Sequence, residues 1–129
     1  MAGSISYTHE KQGNVRVVRV TWTADASDFS VPSLVLPNLG GKLLALETNP
    51  GATAPTASYD IAVTDQQGHD VLQGVGANRS ATATEKVAVV YSGTAIHPPV
   101  GQGDTLTMAI TGNSVASATG VAVLYYERE

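Results

Sequence analysis

Short segments in which apolar and polar residues alternate make up much of this chain, and glycine, proline or asparagine separates them. Residues 4–11 alternate, residues 12–14 (Q-G-N) follow, and residues 15–22 alternate again. A period of two is that of a strand with one buried face. A short connection containing glycine and asparagine is typical of a hairpin turn. The chain is therefore predicted to open with a β-hairpin.

The second segment of this hairpin contains two consecutive valines, Val17 and Val18. They shift the phase of the alternation midway along the segment. One extra residue in a strand is the mark of a β-bulge. We expect a long strand with a bulge at this point.

Further strands are predicted by the same alternation at residues 41–49, 59–65, 70–73, 86–91, 104–111 and 120–127. The segment G-K-L-L-A-L-E-T-N (residues 41–49) contains residues that favour helix. It is short, lacks an N-cap and ends at N-P-G, so a strand is the better interpretation. Residues 59–65 and 70–73 are expected to form a hairpin.

Two connections, residues 25–32 and 96–103, are predicted as loops from their composition. Pro32 and Pro37 limit any strand between them, because proline donates no backbone hydrogen bond. No segment of ten residues has a convincing helical pattern. We expect one all-β domain over residues 1–129, an antiparallel β-sandwich or jelly roll of about eight strands.

Charge and composition restrict the classes of partner. Seven basic and 11 acidic residues give a formal net charge of −4, and no cluster of Lys or Arg is present, so direct binding to nucleic acid is not expected. The absence of cysteine excludes disulfides and thiolate metal sites. No signal peptide or membrane-spanning run is visible, so we expect synthesis in the cytoplasm without membrane insertion. A charged fraction of only 14% favours a surface covered by neighbours, hence self-association.

No catalytic or metal-binding motif is found. His9, His69 and His97 are far apart in the sequence and do not have the spacing of paired metal ligands. The nearest match to a nucleophile elbow, G-N-S-V-A at residues 112–116, lacks the second glycine. We expect a protein that is not an enzyme and that holds no cofactor or metal ion.

The segment D-Q-Q-G-H-D, from Asp65 to Asp70, places two carboxylates around a glycine. Such a pair can bind calcium, but the other ligands of the twelve-residue calcium loop are missing. The favoured interpretation is a turn that an aspartate side chain caps through its own backbone.

The glycine-rich segment that follows leads from Gly74 and Gly76 into Asn78, Arg79 and Ser80. It lacks G-K-[ST] and is not a phosphate-binding loop. Two alternatives stay open: a docking loop in which Arg79 pairs with groups of a neighbouring protein, or a solvated connection. In both, Asn78, Arg79 and Ser80 are an exposed tip. Valine at Gly76 would hinder folding if this glycine has a positive φ.

Aromatic residues are few. Trp22, Tyr125 and Tyr126 could in principle stack on sugars in a carbohydrate-binding sandwich. Adjacent residues of a strand point to opposite faces, so only one of the two tyrosines can contribute. Packing in the core is the favoured role for Trp22.

Two stretches carry a resemblance to a known group of proteins. They are Y-D-I-A-V-T-D-Q-Q-G-H-D-V-L-Q-G-V-G-A-N-R-S (residues 59–80) and G-D-T-L-T-M-A-I-T-G-N-S-V-A-S-A-T-G-V-A-V-L-Y-Y-E (residues 103–127), a little over a third of the chain. They resemble small all-β virion structural proteins of tailed bacteriophages, and the small size and jelly-roll-like pattern of the chain are similar to those of capsid decoration (cement) proteins. The resemblance implies a virion component that binds capsid protein as a homotrimer. A head-to-tail or tail component is the alternative.

Overall fold

The computed structural model describes residues 3–37, 39–101 and 105–127. In these residues the chain forms nine strands and no helix: β1 (Ser4–Gln12), β2 (Val15–Thr23), β3 (Leu34–Val35), β4 (Gly41–Pro50), β5 (Asp60–Thr64), β6 (Glu85–Ala88), β7 (Pro99–Val100), β8 (Thr107–Thr111) and β9 (Thr119–Glu127). The larger sheet has the order β1-β2-β9-β4-β6, and β7 also pairs with β4. The smaller sheet has the order β3-β8-β5, and all strand pairs are antiparallel. The all-β prediction is confirmed, and the two sheets are those of a sandwich.

The opening hairpin is confirmed, but the bulge predicted in its second strand is wrong. The register between β1 and β2 runs without a break from Ser4↔Thr23 to Gln12↔Val15. Val18 is buried in the core, and Val17 is buried on the other face of β2, where Arg19 and Thr21 are exposed. The register shifts instead in β4, at its pairing with β9 between Leu43 and Ala45.

The strands predicted at residues 41–49, 59–65 and 120–127 are present as β4, β5 and β9. The strand predicted at residues 86–91 is observed as β6, which ends earlier, at Ala88. The strand predicted at residues 104–111 is observed as β8, which begins later, at Thr107. Asp104 and residues 102–103 of the preceding predicted loop lie outside the described residues.

Residues 70–73 do not form the predicted strand. They fold into consecutive turns after a single bridge between Thr64 and Asp70. The two-residue strands β3 and β7 were not predicted. The first lies between Pro32 and Pro37, which leave room for only a short ladder.

The core lies between the two sheets. It is built from the alternate residues of β2, β4 and β9 that face the smaller sheet, among them Val18, Leu46 and Leu124. Trp22 is buried against Tyr59, with ring centroids 5.6 Å apart, so the expected role of Trp22 in the core is confirmed. The described residues form no helix long and apolar enough to cross a membrane.

Candidate functional site

The glycine-rich segment runs along the outer edge of β5. The Ile61 N–H donates to the Gly76 carbonyl at 2.8 Å, and the Arg79 N–H donates to the Tyr59 carbonyl at 2.7 Å. Both hydrogen bonds lie on the side of β5 that faces away from β8. The segment therefore covers the backbone groups of an edge that would otherwise be open to another strand.

Gly76 allows this close approach, and its φ is not positive. A Cβ atom at Gly76 would overlap the carbonyl oxygen of Ile61. Positive φ in this segment occurs at Asn78, at 55°, and at Gly74, at 80°, where a Cβ atom would meet nothing within 4 Å. The two glycines thus serve different needs, space at Gly76 and backbone conformation at Gly74.

The Arg79 side chain is buried, with 5% of its surface exposed. Its Nε donates to Thr48 Oγ1 at 2.9 Å, its Nη1 to the Val75 carbonyl at 3.1 Å and its Nη2 to the Glu85 carbonyl at 3.4 Å. The Glu85 carboxylate lies 3.6 Å from Nη2. Arg79 therefore fastens the glycine-rich segment to β4 of the larger sheet.

The prediction that Asn78, Arg79 and Ser80 form an exposed tip is wrong for Arg79. Asn78 is exposed and Ser80 is half-buried, but the guanidinium is directed into the protein and has no access to a partner. The acceptors of its hydrogen bonds, Thr48 Oγ1 and two carbonyl oxygens, lie inside the protein. Only a long side chain with several donors can reach all three from this loop.

Tyr59 lies beside this buried polar group. Its hydroxyl has no hydrogen-bond partner within the described part of the chain. Burial raises the pKa of Tyr59, and the nearby Thr48 and Arg79, which lower it, offset burial only in part. The phenol is held neutral, so the positive charge of Arg79 is matched by Glu85 alone in this cluster.

The segment from Asp65 to Asp70 is a turn, as predicted. Asp65 Oδ1 accepts hydrogen bonds from the backbone N–H groups of Gln67 at 2.9 Å and His69 at 3.0 Å. Asp70 uses both oxygens in the next turn, where Oδ1 accepts from the Leu72 N–H and Oδ2 from the Gly74 N–H, each at 3.0 Å. The two carboxylates therefore shape the backbone.

Replacing Asp70 with alanine is expected to lower the free energy of unfolding by about 1–3 kcal/mol, because the backbone donors of the turn lose their acceptor. Thermal unfolding of both proteins, with and without calcium and with a chelator, measures this. We expect the midpoint of the wild-type protein to be the same in all conditions. A calcium-dependent rise that disappears in Asp70→Ala would instead make this turn a cation site.

The three histidines lie at separate places. His9 Nε2 is 2.6 Å from the Tyr126 hydroxyl, His97 Nδ1 donates to the Val89 carbonyl at 2.7 Å, and His69 is exposed. In residues 3–37, 39–101 and 105–127, no group of three or more histidines and carboxylates could hold a metal ion.

The aromatic residues considered for sugar stacking are either buried or in contact with neighbouring side chains. Trp22 and Tyr126 are buried. The Tyr125 ring is covered by the Lys86 ammonium group, 4.1 Å from the ring centroid, and its hydroxyl donates to Glu47 at 3.2 Å. These three residues give no support to a carbohydrate-binding surface.

A shallow cleft of about 290 Å³ lies between residues 28–31 and 110–113. The Asn113 side chain at its rim donates to the Phe29 carbonyl at 3.0 Å and accepts from the Thr56 N–H at 3.1 Å. Its polar atoms are engaged in holding three loops together. The cleft is a consequence of loop packing.

An apolar projection lies between β6 and β7, which we call the β6–β7 tip and define as residues 91–96. Tyr91 and Ile96 are among the exposed large apolar residues, and Ile96 is 61% exposed. The tip is closed by hydrogen bonds from the Tyr91 N–H to the Ile96 carbonyl and from the Thr94 N–H to the Tyr91 carbonyl, both 3.0 Å. It is thus a hydrogen-bonded turn that presents apolar side chains to solvent.

Sequence reasoning missed the β6–β7 tip, although a signal was present. Residues 87–103 contain no Asp, Glu, Lys or Arg. Loss of charge over such a stretch is typical of the centre of a protein interface. The alternation and the prolines predict part of this stretch as a strand and part as a loop.

No protein-family model, curated protein or solved structure matches this chain significantly.

Proposed function

We propose that this chain is a bacteriophage virion structural protein, and specifically a head decoration (cement) protein that stabilises the capsid by binding between capsid subunits. The virion assignment is supported by the resemblance of residues 59–80 and 103–127 to virion proteins. Protein binding as the activity is supported by the β6–β7 tip, the observation that carries this proposal.

The β6–β7 tip has the physical properties of a docking element. Its hydrogen-bonded turn is formed before binding, so little conformational entropy is lost when it meets a partner. Tyr91 and Ile96 provide apolar area, and the uncharged stretch around them avoids the cost of burying unpaired charge. The partner is a capsid protein with an apolar pocket at a boundary between subunits.

Self-association strengthens such binding. The resemblance implies a homotrimer, in which three tips act together. Three weak contacts held in one body give a much higher overall affinity than any one of them.

Replacing Ile96 with aspartate is expected to weaken attachment to capsids by at least tenfold. Burial of an isoleucine side chain contributes about 1.5–3 kcal/mol, and each 1.4 kcal/mol is tenfold in Kd. The measurement is co-sedimentation of the purified variant with particles stripped of the wild-type protein, at limiting concentration.

Val35 provides a matched control, because it is a β-branched residue on the smaller sheet that is 60% exposed. Val35→Asp should bind particles as the wild-type protein does. Equal binding by Ile96→Asp and wild type would remove the β6–β7 tip from the docking surface. Electron microscopy of labelled protein on particles separates the head from the alternative, a head-to-tail or tail position.

A further inference from the structure

The hairpin turn determines which backbone groups of β1 face outward. Gln12 and Val15 flank a two-residue turn and are paired, so they exchange both backbone hydrogen bonds. In an antiparallel pair this relation recurs at every second residue. The backbone groups of Ser4, Ser6 and Thr8 therefore point towards β2, and those of the alternate residues Ile5 and Tyr7 point away from it.

This outward edge of β1 is the longest open edge in the described part of the chain. β1 has nine residues and pairs only with β2. At the other sheet edges, β6 has four residues, β3 has two, and β5 is covered by the glycine-rich segment. A long exposed edge is a template for another strand.

The charges of β1 divide it into two parts. Residues 4–8 (S-I-S-Y-T) carry no charge, and Glu10 and Lys11 follow. Charged side chains on an edge oppose strand pairing. A register centred on Thr8 would place Lys11 opposite Ile5, and one centred on Tyr7 would place Glu10 opposite Ser4. A register centred on Ser6 is the longest that keeps both charged residues out of the pairing.

We propose that residues 4–8 of β1 pair antiparallel with the same residues of a second copy of this chain, about a twofold axis at Ser6. Ile5 of each copy lies opposite Tyr7 of the other and exchanges both backbone hydrogen bonds with it. Ser4 lies opposite Thr8, and the two Ser6 residues face each other.

The side chains suit this contact. Ile5 and Tyr7 lie opposite Trp22 and Val20 of β2, which face the core, and Ile5 packs against the core cluster. Tyr7 is 40% exposed. In the twofold pair its ring is placed beside Ile5 of the other copy, and pairs of aromatic and β-branched residues across strands are stabilising. Serine and threonine occupy the opposite face, where all the pairs are small and polar.

This contact is independent of the proposed function. Alone it gives a dimer, and combined with the threefold association implied by the resemblance it gives six copies. Sedimentation at high micromolar concentration should therefore show an even number of copies. A monomer or a trimer at that concentration would overturn the proposal, whatever the protein binds.

A single cysteine tests the register directly, because the natural chain has none. In Ser6→Cys the two thiols lie in a pair that is not hydrogen-bonded, with Cα atoms about 4.5 Å apart, which is within the range for a disulfide. Mild oxidation should convert most of the protein into a covalent dimer, seen in a non-reducing gel.

Two further variants serve as controls. In Thr8→Cys the thiols are separated by four residues along the strands, roughly 13 Å, and Thr21→Cys reports random collision from an exposed site on β2. Both should stay largely monomeric in the gel. Equal cross-linking of Ser6→Cys and Thr21→Cys, or faster cross-linking of Thr8→Cys than of Ser6→Cys, would overturn the proposed contact.

A charge on the edge gives the complementary test. Tyr7→Lys places a lysine within the uncharged segment and should shift sedimentation towards half the number of copies, with thermal unfolding of the subunit retained. Unchanged association of a folded Tyr7→Lys protein would count against pairing through residues 4–8.

Discussion

Replacing Arg79 with alanine is expected to lower the free energy of unfolding by about 3–5 kcal/mol, because each buried acceptor that loses its donor costs about 1–3 kcal/mol. The substitution leaves Thr48 Oγ1 and the Val75 carbonyl without their donor and opens a cavity between the two sheets. The thermal midpoint should fall by roughly 10–20 °C. Urea unfolding followed by tryptophan fluorescence is a suitable measurement, because Trp22 is buried in the core.

Two matched variants distinguish the contribution of the buried hydrogen bonds of Arg79 from that of its ion pair with Glu85. Arg16→Ala removes an arginine whose Nε donates to the Gly13 carbonyl at an exposed position, and it should change stability by no more than about 0.5 kcal/mol. Glu85→Gln removes the charge opposite Arg79 but keeps the oxygen that accepts the Ser80 N–H. Because the Glu85 side chain is 42% exposed, this ion pair is screened, and the loss should be below about 1 kcal/mol. A loss in Glu85→Gln as large as that in Arg79→Ala would mean that the ion pair, and not the buried hydrogen bonds, holds the segment.

Replacing Gly76 with alanine is expected to destabilise the protein by about 3 kcal/mol, at the upper end for an overpacked site. The added methyl group meets the Ile61 carbonyl oxygen, which belongs to a backbone that cannot rotate away. Relief requires the segment to move off β5, and this breaks the hydrogen bond from the Ile61 N–H to Gly76. The midpoint of chemical unfolding measures the loss.

Gly74→Ala is the control in the same segment. Its Cβ atom meets nothing, so only the positive φ opposes it, at a cost of about 1–2 kcal/mol. The effect at Gly76 should be the larger of the two. The reverse order would show that backbone conformation, and not close approach to β5, requires glycine here.

The sequence predicts the parts of the fold that local patterns determine. The alternation in residues 4–11 and the turn at Gly13 specify the first hairpin, and the stop at N-P-G decides in favour of a strand for β4. The error at Val17 and Val18 has a tertiary cause. Val18 faces the core and Val17 is buried on the other face of β2, so two consecutive apolar residues resemble the phase shift of a bulge although the pairing with β1 is regular.

In the candidate site, too, the sequence predicts the contacts that are local and misses those between distant residues. The turn at Asp65 is local, because the carboxylate caps backbone groups two and four residues away, and it was predicted. The role of Arg79 depends on Thr48, which is distant in the sequence and reaches Arg79 only when the two sheets are assembled. A single arginine in a polar, glycine-rich stretch carries no local sign that its acceptors lie beneath it.

The position of β9 has a consequence for how the protein folds. β9 is the last strand in the sequence, yet it lies between β2 and β4 and pairs with both, as in Val15↔Glu127 and Leu46↔Leu124. The N-terminal hairpin and the β4–β6 pair are made earlier during synthesis but have no direct pairing with each other. Each of them has an unpaired strand edge until β9, which pairs with both, has been synthesised. Contacts of such long sequence separation slow folding, and they make the first and last strands of the larger sheet part of one cooperative unit.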